Sequence, residues 1–130
     1  MPFRTVVAKE LAGLLGVLSH PNRIRILEEL KDAEHDVNAL SAAIGISHSG
    51  ASQHLTLLRA HRLVLERREG RHVFYHLRQP AIAAWLVDAT RFLEPERDAA
   101  NELRTAIQRT RRAWSGRPAN GRAQNARPSA

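Results

Sequence analysis

Cysteine is absent from the 130-residue chain. That removes disulfides, thiolate metal sites and thiol redox sensing together, since each needs a sulfur. Met1 is the single methionine, so a sulfoxide switch has no suitable residue. Lysine is nearly missing as well: of 20 basic residues only Lys9 and Lys31 are lysine, and 18 are arginine. No segment is long and apolar enough to span a bilayer, and the N-terminus lacks a signal-peptide pattern, so a cytoplasmic location is expected. There is no glycine-rich phosphate loop, and no serine stands with a histidine and an acid in a catalytic motif. An enzyme reading has little support.

What the chain does have is positive charge. Its 20 basic and 13 acidic residues leave a formal charge of +7, the electrostatic footprint of a polyanion partner. The competing reading of arginine over lysine is the nucleotide composition of the genome. A hydrophobic content of 43% suits one modest core. Residues 1–114 are expected to form that domain. Residues 115–130, SGRPANGRAQNARPSA, hold no large apolar residue and no acid, so a disordered basic tail is expected there. Its Arg117, Arg122 and Arg127 either meet phosphates loosely or merely solvate the chain end.

The segment from Ile46 to Leu77 is the most informative. Ser47 suits a helix N-cap. Ala51, Leu55 and Leu58 follow at helical spacing and commit one face to a core, while His48, Ser49, Ser52, Gln53 and Thr56 point elsewhere. Short and amide-bearing side chains of that kind can donate to and accept from base edges in a major groove. Upstream, Val37, Leu40, Ala43 and Ile44 form a short apolar stripe, with Asp36 or Asn38 as its cap and Gly45 at a left-handed turn. Downstream, Val64 to Glu69 and His72 to Leu77 read as two strands turning at Gly70. The expected fold is mainly α with a two-stranded β wing, a winged helix-turn-helix. Arg67, Arg68 and Arg71 flank the hairpin tip, where they can reach phosphates or a narrow minor groove.

Apolar stripes also mark the two ends. Residues 4–18 predict a helix with Val7, Leu11, Leu14, Leu15 and Leu18 on one face, and a second helix runs from Pro21 to Lys31 through Ile24, Ile26, Leu27 and Leu30. After Pro80, Ile82, Trp85, Leu86, Ala89, Phe92 and Leu93 predict a further helix that Pro95 breaks or kinks. Glu96 to Trp114, with Leu103 and Ile107, predicts another. These faces exceed what one small winged core covers. Burial against a second copy of the chain is the favoured expectation, through Val7, Leu11, Leu14, Leu18, Trp85, Leu86, Phe92, Leu103 and Ile107; the competing one is that the helices cap the monomer's own core.

Three segments in order, LSHPNRIRILEEL, SHSGASQHLTLLRAHRLV and REGRHVFYHL, resemble the second helix, the recognition helix with its exit turn, and the wing of the ArsR/SmtB-type dimeric winged-helix repressors. The resemblance covers roughly residues 8–93. It implies a homodimer that binds a palindromic operator in double-stranded DNA and releases it when an inducer binds. Two departures stand out. Arg62 sits where the family usually has glycine, a costly choice if the backbone there is left-handed. NALSAAI, on the helix where many members carry metal-binding cysteines, has neither cysteine nor histidine. All seven histidines precede Pro80, so Asp88 with Glu94, Glu96 and Asp98 makes a poor site for a borderline metal and reads better as a solvated face or dimer salt bridges. No metal and no cofactor is expected, and the inducer stays open.

The histidines divide by place. His20 precedes Pro21 and suits the helix entry, and His35 reads as a loop residue. His54 matches a position where the family often has histidine, with a structural or phosphate-contacting role. His72 and His76 share a sheet face but lie about 13 Å apart along a strand, too far to share one ion. A histidine cluster would also make DNA binding pH-sensitive, a minor reading. The leading function is a sequence-specific repressor in which Ser49, Ser52 and Gln53 read bases and His48 and Thr56 assist. The alternative is a basic chromosome-organising protein with little sequence preference.

Overall fold

The computed structural model describes residues 2–93 and 100–116, and the chain divides into two compact units, Met1–Arg78 and Gln79–Ala130. The expected break at Pro95, the acids Glu94, Glu96 and Asp98, and the tail from residue 117 onward lie outside the described residues.

The first unit opens with α1 (Pro2–Val17). Val17 is its single buried residue; Val7 and Leu11 are 57% and 52% exposed, and Leu14 is half-buried. Leu18 departs from the expected outward stripe. It is only 5% exposed, because the helix ends at Val17 and the chain turns inward there. Helix α2 (Pro21–Glu29) starts as its sequence suggests, with Pro21 in the first turn and the His20 Nδ1 accepting from the Asn22 amide at 3.0 Å. Its inner face carries Ile26 and Leu27, both fully buried, and its outer face an Arg25–Glu28–Glu29 ion-pair cluster.

Helix α3 (Val37–Ile44) is capped by Asp36, whose Oδ1 accepts from the Ala39 amide at 2.8 Å, and ends at Gly45 with φ +77°. Helix α4 (His48–Ala60) is capped by the Ser47 hydroxyl, which accepts from the Gly50 amide at 3.0 Å. A Cβ at Gly50 would sit only 3.0 Å from that hydroxyl, so the bare glycine keeps room for the cap. Ala51, Leu55 and Leu58 of α4 complete a core with Ile26, Leu27, Leu40 and Val64. Fully burying a leucine or isoleucine contributes about 1.5–3 kcal/mol, so these side chains outweigh every surface pair in the unit.

Helix α4 closes with paired bonds from Arg62 N to Arg59 O (2.9 Å) and from Leu63 N to Leu58 O (3.0 Å), the Schellman pattern. Arg62 stands in the left-handed position of that motif with φ +58°, the single non-glycine residue with positive φ among those described. The turn is therefore the one glycine would favour, and arginine occupies it at a cost.

Strands β1 (Val64–Glu69) and β2 (His72–Leu77) pair antiparallel from Val64↔Leu77 to Glu69↔His72. Gly70, φ +61°, takes the first of the two turn positions, as primed hairpin turns require. His35 is not an ordinary loop residue. Its backbone pairs with Tyr75 through both amides, at 3.2 and 2.8 Å, an isolated antiparallel bridge that ties this loop to β2.

A polar knot joins α2 to α4. The Arg23 guanidinium donates to the Val17 carbonyl and stands 3.3 Å from His54 Nδ1, while the His54 and His20 rings lie 4.5 Å apart. Burial, followed by the positive neighbours His20 and Arg23, holds the His54 pKa below the usual imidazole range.

The second unit holds α5 (Ala81–Ala89), a 3-10 turn at Thr90–Phe92 and α6 (Ala100–Gly116). Sequence periodicity carries the first of these helices to Leu93, but α5 ends at Ala89. There the Thr90 hydroxyl donates to the Val87 carbonyl at 2.6 Å, and the chain tightens into the 3-10 turn. Ala83 and Trp114 are buried. Trp85, Phe92 and Leu103 remain exposed, with Leu86 and Ile107 half-buried. Among the described residues no helix is long and apolar enough to cross a membrane.

Two outcomes follow. Arg62→Gly should raise the stability of the fold by about 1 kcal/mol by removing the left-handed strain; urea unfolding measures it, and an unchanged or lower stability would count against strain at this turn. For His54 the folded state favours the neutral ring. Stability is therefore fully present above the unfolded value near 6.5 and is lost as pH falls through the lower folded value. His54→Gln should lose less stability than the wild type between pH 7.5 and 5, and parallel losses would refute the assignment.

Candidate nucleic-acid interface

With Ala51, Leu55 and Leu58 turned inward, the rest of α4 is fixed by helix geometry. At 100° per residue, Ser49, Gln53 and Thr56 fall within about 40–60° of one another on the outward face, and all three are exposed. Ser52 lies on the edge of that face and is half-buried; His48, exposed, begins the helix. The Thr56 hydroxyl donates to the Ser52 carbonyl at 2.9 Å, which leaves its lone pairs as acceptors. The Ser49 hydroxyl lies 3.4 Å from the capping hydroxyl of Ser47. The Gln53 amide has no partner among the described residues, so both its donor and its acceptor are available. An amide in that state can bond an adenine edge through two hydrogen bonds.

His54 does not share this face. It lies on the flank against α2, in the knot with His20 and Arg23, a position that suits the structural one of the two roles expected for it. Sequence alone places it on the helix but cannot show Arg23, 31 residues away, beside it.

The wing arginines also separate. Arg67 Nε donates to Glu34 Oε2 and its Nη1 to Glu69 Oε2, both at 2.9 Å, and its guanidinium lies 4.9 Å over the Phe74 ring. Hydrogen bonds to the two carboxylates raise its pKa above the usual arginine value. Two carboxylates already engage it, so Arg67 braces the wing. Arg68 is 74% exposed and only 3.9 Å from Glu66, which is held more closely at 3.2 Å by Arg59 of α4. Arg71, exposed at the hairpin tip, has no acidic partner among the described residues. Glu34, Arg59 and Glu66 were not singled out by sequence reasoning. Each matters through a partner on another element, and no local spacing signals that.

Among the described residues no three histidines or acids are grouped so as to hold a metal ion.

A family profile described as a helix-turn-helix domain matches residues 18–67. The chain is similar to the nodulation protein NolR of Rhizobium meliloti, 35% identical over 95 residues, 73% of this chain and 78% of that one. It is 40% identical over 94 residues to a biofilm growth-associated repressor of Xylella fastidiosa, 71% of this chain and 82% of that one. Among solved structures, NolR from Sinorhizobium fredii superposes with a TM-score of 0.64 at 33% identity, covering 70% of this chain and 91% of that one. The homodimeric winged helix-turn-helix DNA-binding domain of Mb0332 from Mycobacterium bovis, described as a possible ArsR-family regulator, superposes with a TM-score of 0.60 at 28% identity. There the match covers 68% of this chain and 83% of that one. On these matches, the chain belongs to the ArsR/SmtB family of winged helix-turn-helix transcriptional regulators.

Proposed function

We propose that the protein is a homodimeric, sequence-specific repressor that binds a palindromic operator. The unengaged Gln53 amide, flanked by Ser49 and Thr56 on the outward face of α4, carries the reading. Base recognition needs side chains whose hydrogen bonds are not consumed within the protein, and Gln53 meets that condition. Ser49 and Ser52 are permissive partners that read with it. Arg68 and Arg71 supply sequence-independent attraction to phosphates, and Arg67 and His54 do not take part.

The second copy is supported by the exposed apolar residues of α1, Val7 and Leu11, and by Trp85, Phe92 and Leu103 in the second unit. Leaving so much apolar surface in water is unfavourable, and two-fold pairing is the commonest way to cover it. The homodimeric Mb0332 domain is a precedent. Two-fold symmetry in the protein then calls for two-fold symmetry in the operator. Release by an inducer proceeds without thiolates, because the chain contains no cysteine.

Operator mapping followed by titration at fixed salt tests the proposal. Gln53→Ala should reduce discrimination between operator and mutated operator by about 1–3 kcal/mol if the contact is bidentate. Sedimentation should show two protomers both free at micromolar concentration and on the operator. A monomer on DNA would refute the assembly. Equal binding to operator and scrambled duplex would instead favour a low-specificity chromosome-organising role.

A further inference from the structure

Between the start of α4, the start of α3 and the wing tip lies a cleft of about 210 Å³, which the base-reading face of α4 does not use. Its polar lining comes from three elements: His48 at the first position of α4, Asp36 and Asn38 around the first turn of α3, and Arg71 and His72 where the hairpin returns. His48 lies about 100–140° round the helix from Ser49 and Gln53, so it faces this cleft at the edge of the surface those residues present.

The charges here are unevenly committed. Arg71 has no acidic partner among the described residues. The Asp36 carboxylate caps the Ala39 amide, and Glu69, directly across the sheet from His72, gives its carboxylate to Arg67. Beside the Asp36 carboxylate, which keeps its negative charge, the cleft offers one guanidinium, the His48 imidazole, the His72 imidazole stacked on Phe74 with centroids 6.0 Å apart, and an amide.

We propose that this cleft seats one backbone phosphate of the DNA duplex, held by Arg71, His48 and His72 together. The inference rests on the DNA-binding reading above. Its geometric support is that a helix lying in the major groove and a wing reaching the neighbouring minor groove have the sugar-phosphate strand dividing those grooves between them. The cleft stands where helix and wing meet, on the path of that strand. Guanidinium and imidazole N–H donors that line one cleft from separate elements suit a compact anion better than a flat base edge. His48 thereby becomes a positioning contact that sets how α4 sits in the groove, and Ser49 and Gln53 keep the base reading. An imidazole beside a phosphate is favoured in its charged form, so seating the phosphate takes up protons.

The test uses the full chain with two duplexes of equal length, operator and scrambled, at one salt concentration and at pH 6 and 8. Wild-type affinity for both duplexes should be higher at pH 6, on the order of three- to tenfold. His48→Gln and His72→Gln should each weaken both duplexes alike and flatten the pH dependence, whereas His61→Gln, at the far end of α4, should keep it. Arg71→Gln should lower the slope of log affinity against log salt by about 0.9 per protomer. Thermal unfolding of each variant confirms that it is folded. If His48→Gln selectively erodes the operator-to-scrambled ratio, His48 is a base contact and the seat is overturned. If both histidine variants keep the wild-type pH dependence, the seat is overturned while DNA binding stands. If neither duplex binds, the DNA-binding reading fails and the seat fails with it.

Discussion

The inner stripe of α4 is the constraint on which the rest of the molecule depends. A helix of 13 residues has one azimuth to bury, and Ala51, Leu55 and Leu58 assign it to the core shared with Ile26, Leu27 and Leu40. Rotating the helix to present another face would expose three apolar side chains at a cost of several kcal/mol. The outward direction of Ser49, Gln53 and Thr56 is thus a consequence of packing, as is the flank position of His54. The apolar half of the helix leaves the polar half no freedom to wander.

Two left-handed residues then orient what the core has fixed. Gly45 reverses the chain between α3 and α4, and Arg62 turns it from α4 into β1. The second turn is held against strain by two backbone bonds and by the burial of Val64 immediately after it. The Arg59–Glu66 pair crosses the same junction on the surface, and the His35–Tyr75 bridge ties the far side of the wing to the chain before α3. The wing is placed relative to the recognition helix by backbone and core, with ion pairs as trim.

Much of this was legible in the sequence, and the parts that were not share a physical cause. His20, Asp36, Ser47, Gly45 and Gly70 act on neighbours within a few residues, so their roles follow from residue type and spacing. The outward polar stripe of α4 was legible for the same reason, because helical period alone separates Leu55 from Gln53. By contrast, the Arg67–Glu34 pair spans 33 residues and the Arg23–His54 contact 31. Both were invisible, and with them the partners that Arg67 and His54 have within the protein. Leu18 and Thr90 were misjudged by a residue or a turn at helix ends, where a side-chain hydroxyl or a change of direction overrides periodicity. The pairing of His35 with Tyr75 left no mark in the sequence, since it uses only main-chain groups.

The brace around Arg67 has a consequence for how salt acts on this protein. Its two ion pairs lie at the surface, within reach of mobile ions, and weaken as ionic strength rises. The same ions compete for the phosphates of DNA. A salt titration therefore weakens this brace, by a small amount, while it weakens the hold on DNA. To the extent that the brace changes on binding, the ion stoichiometry read from such a curve would count protein-internal charges as well as the phosphates neutralised.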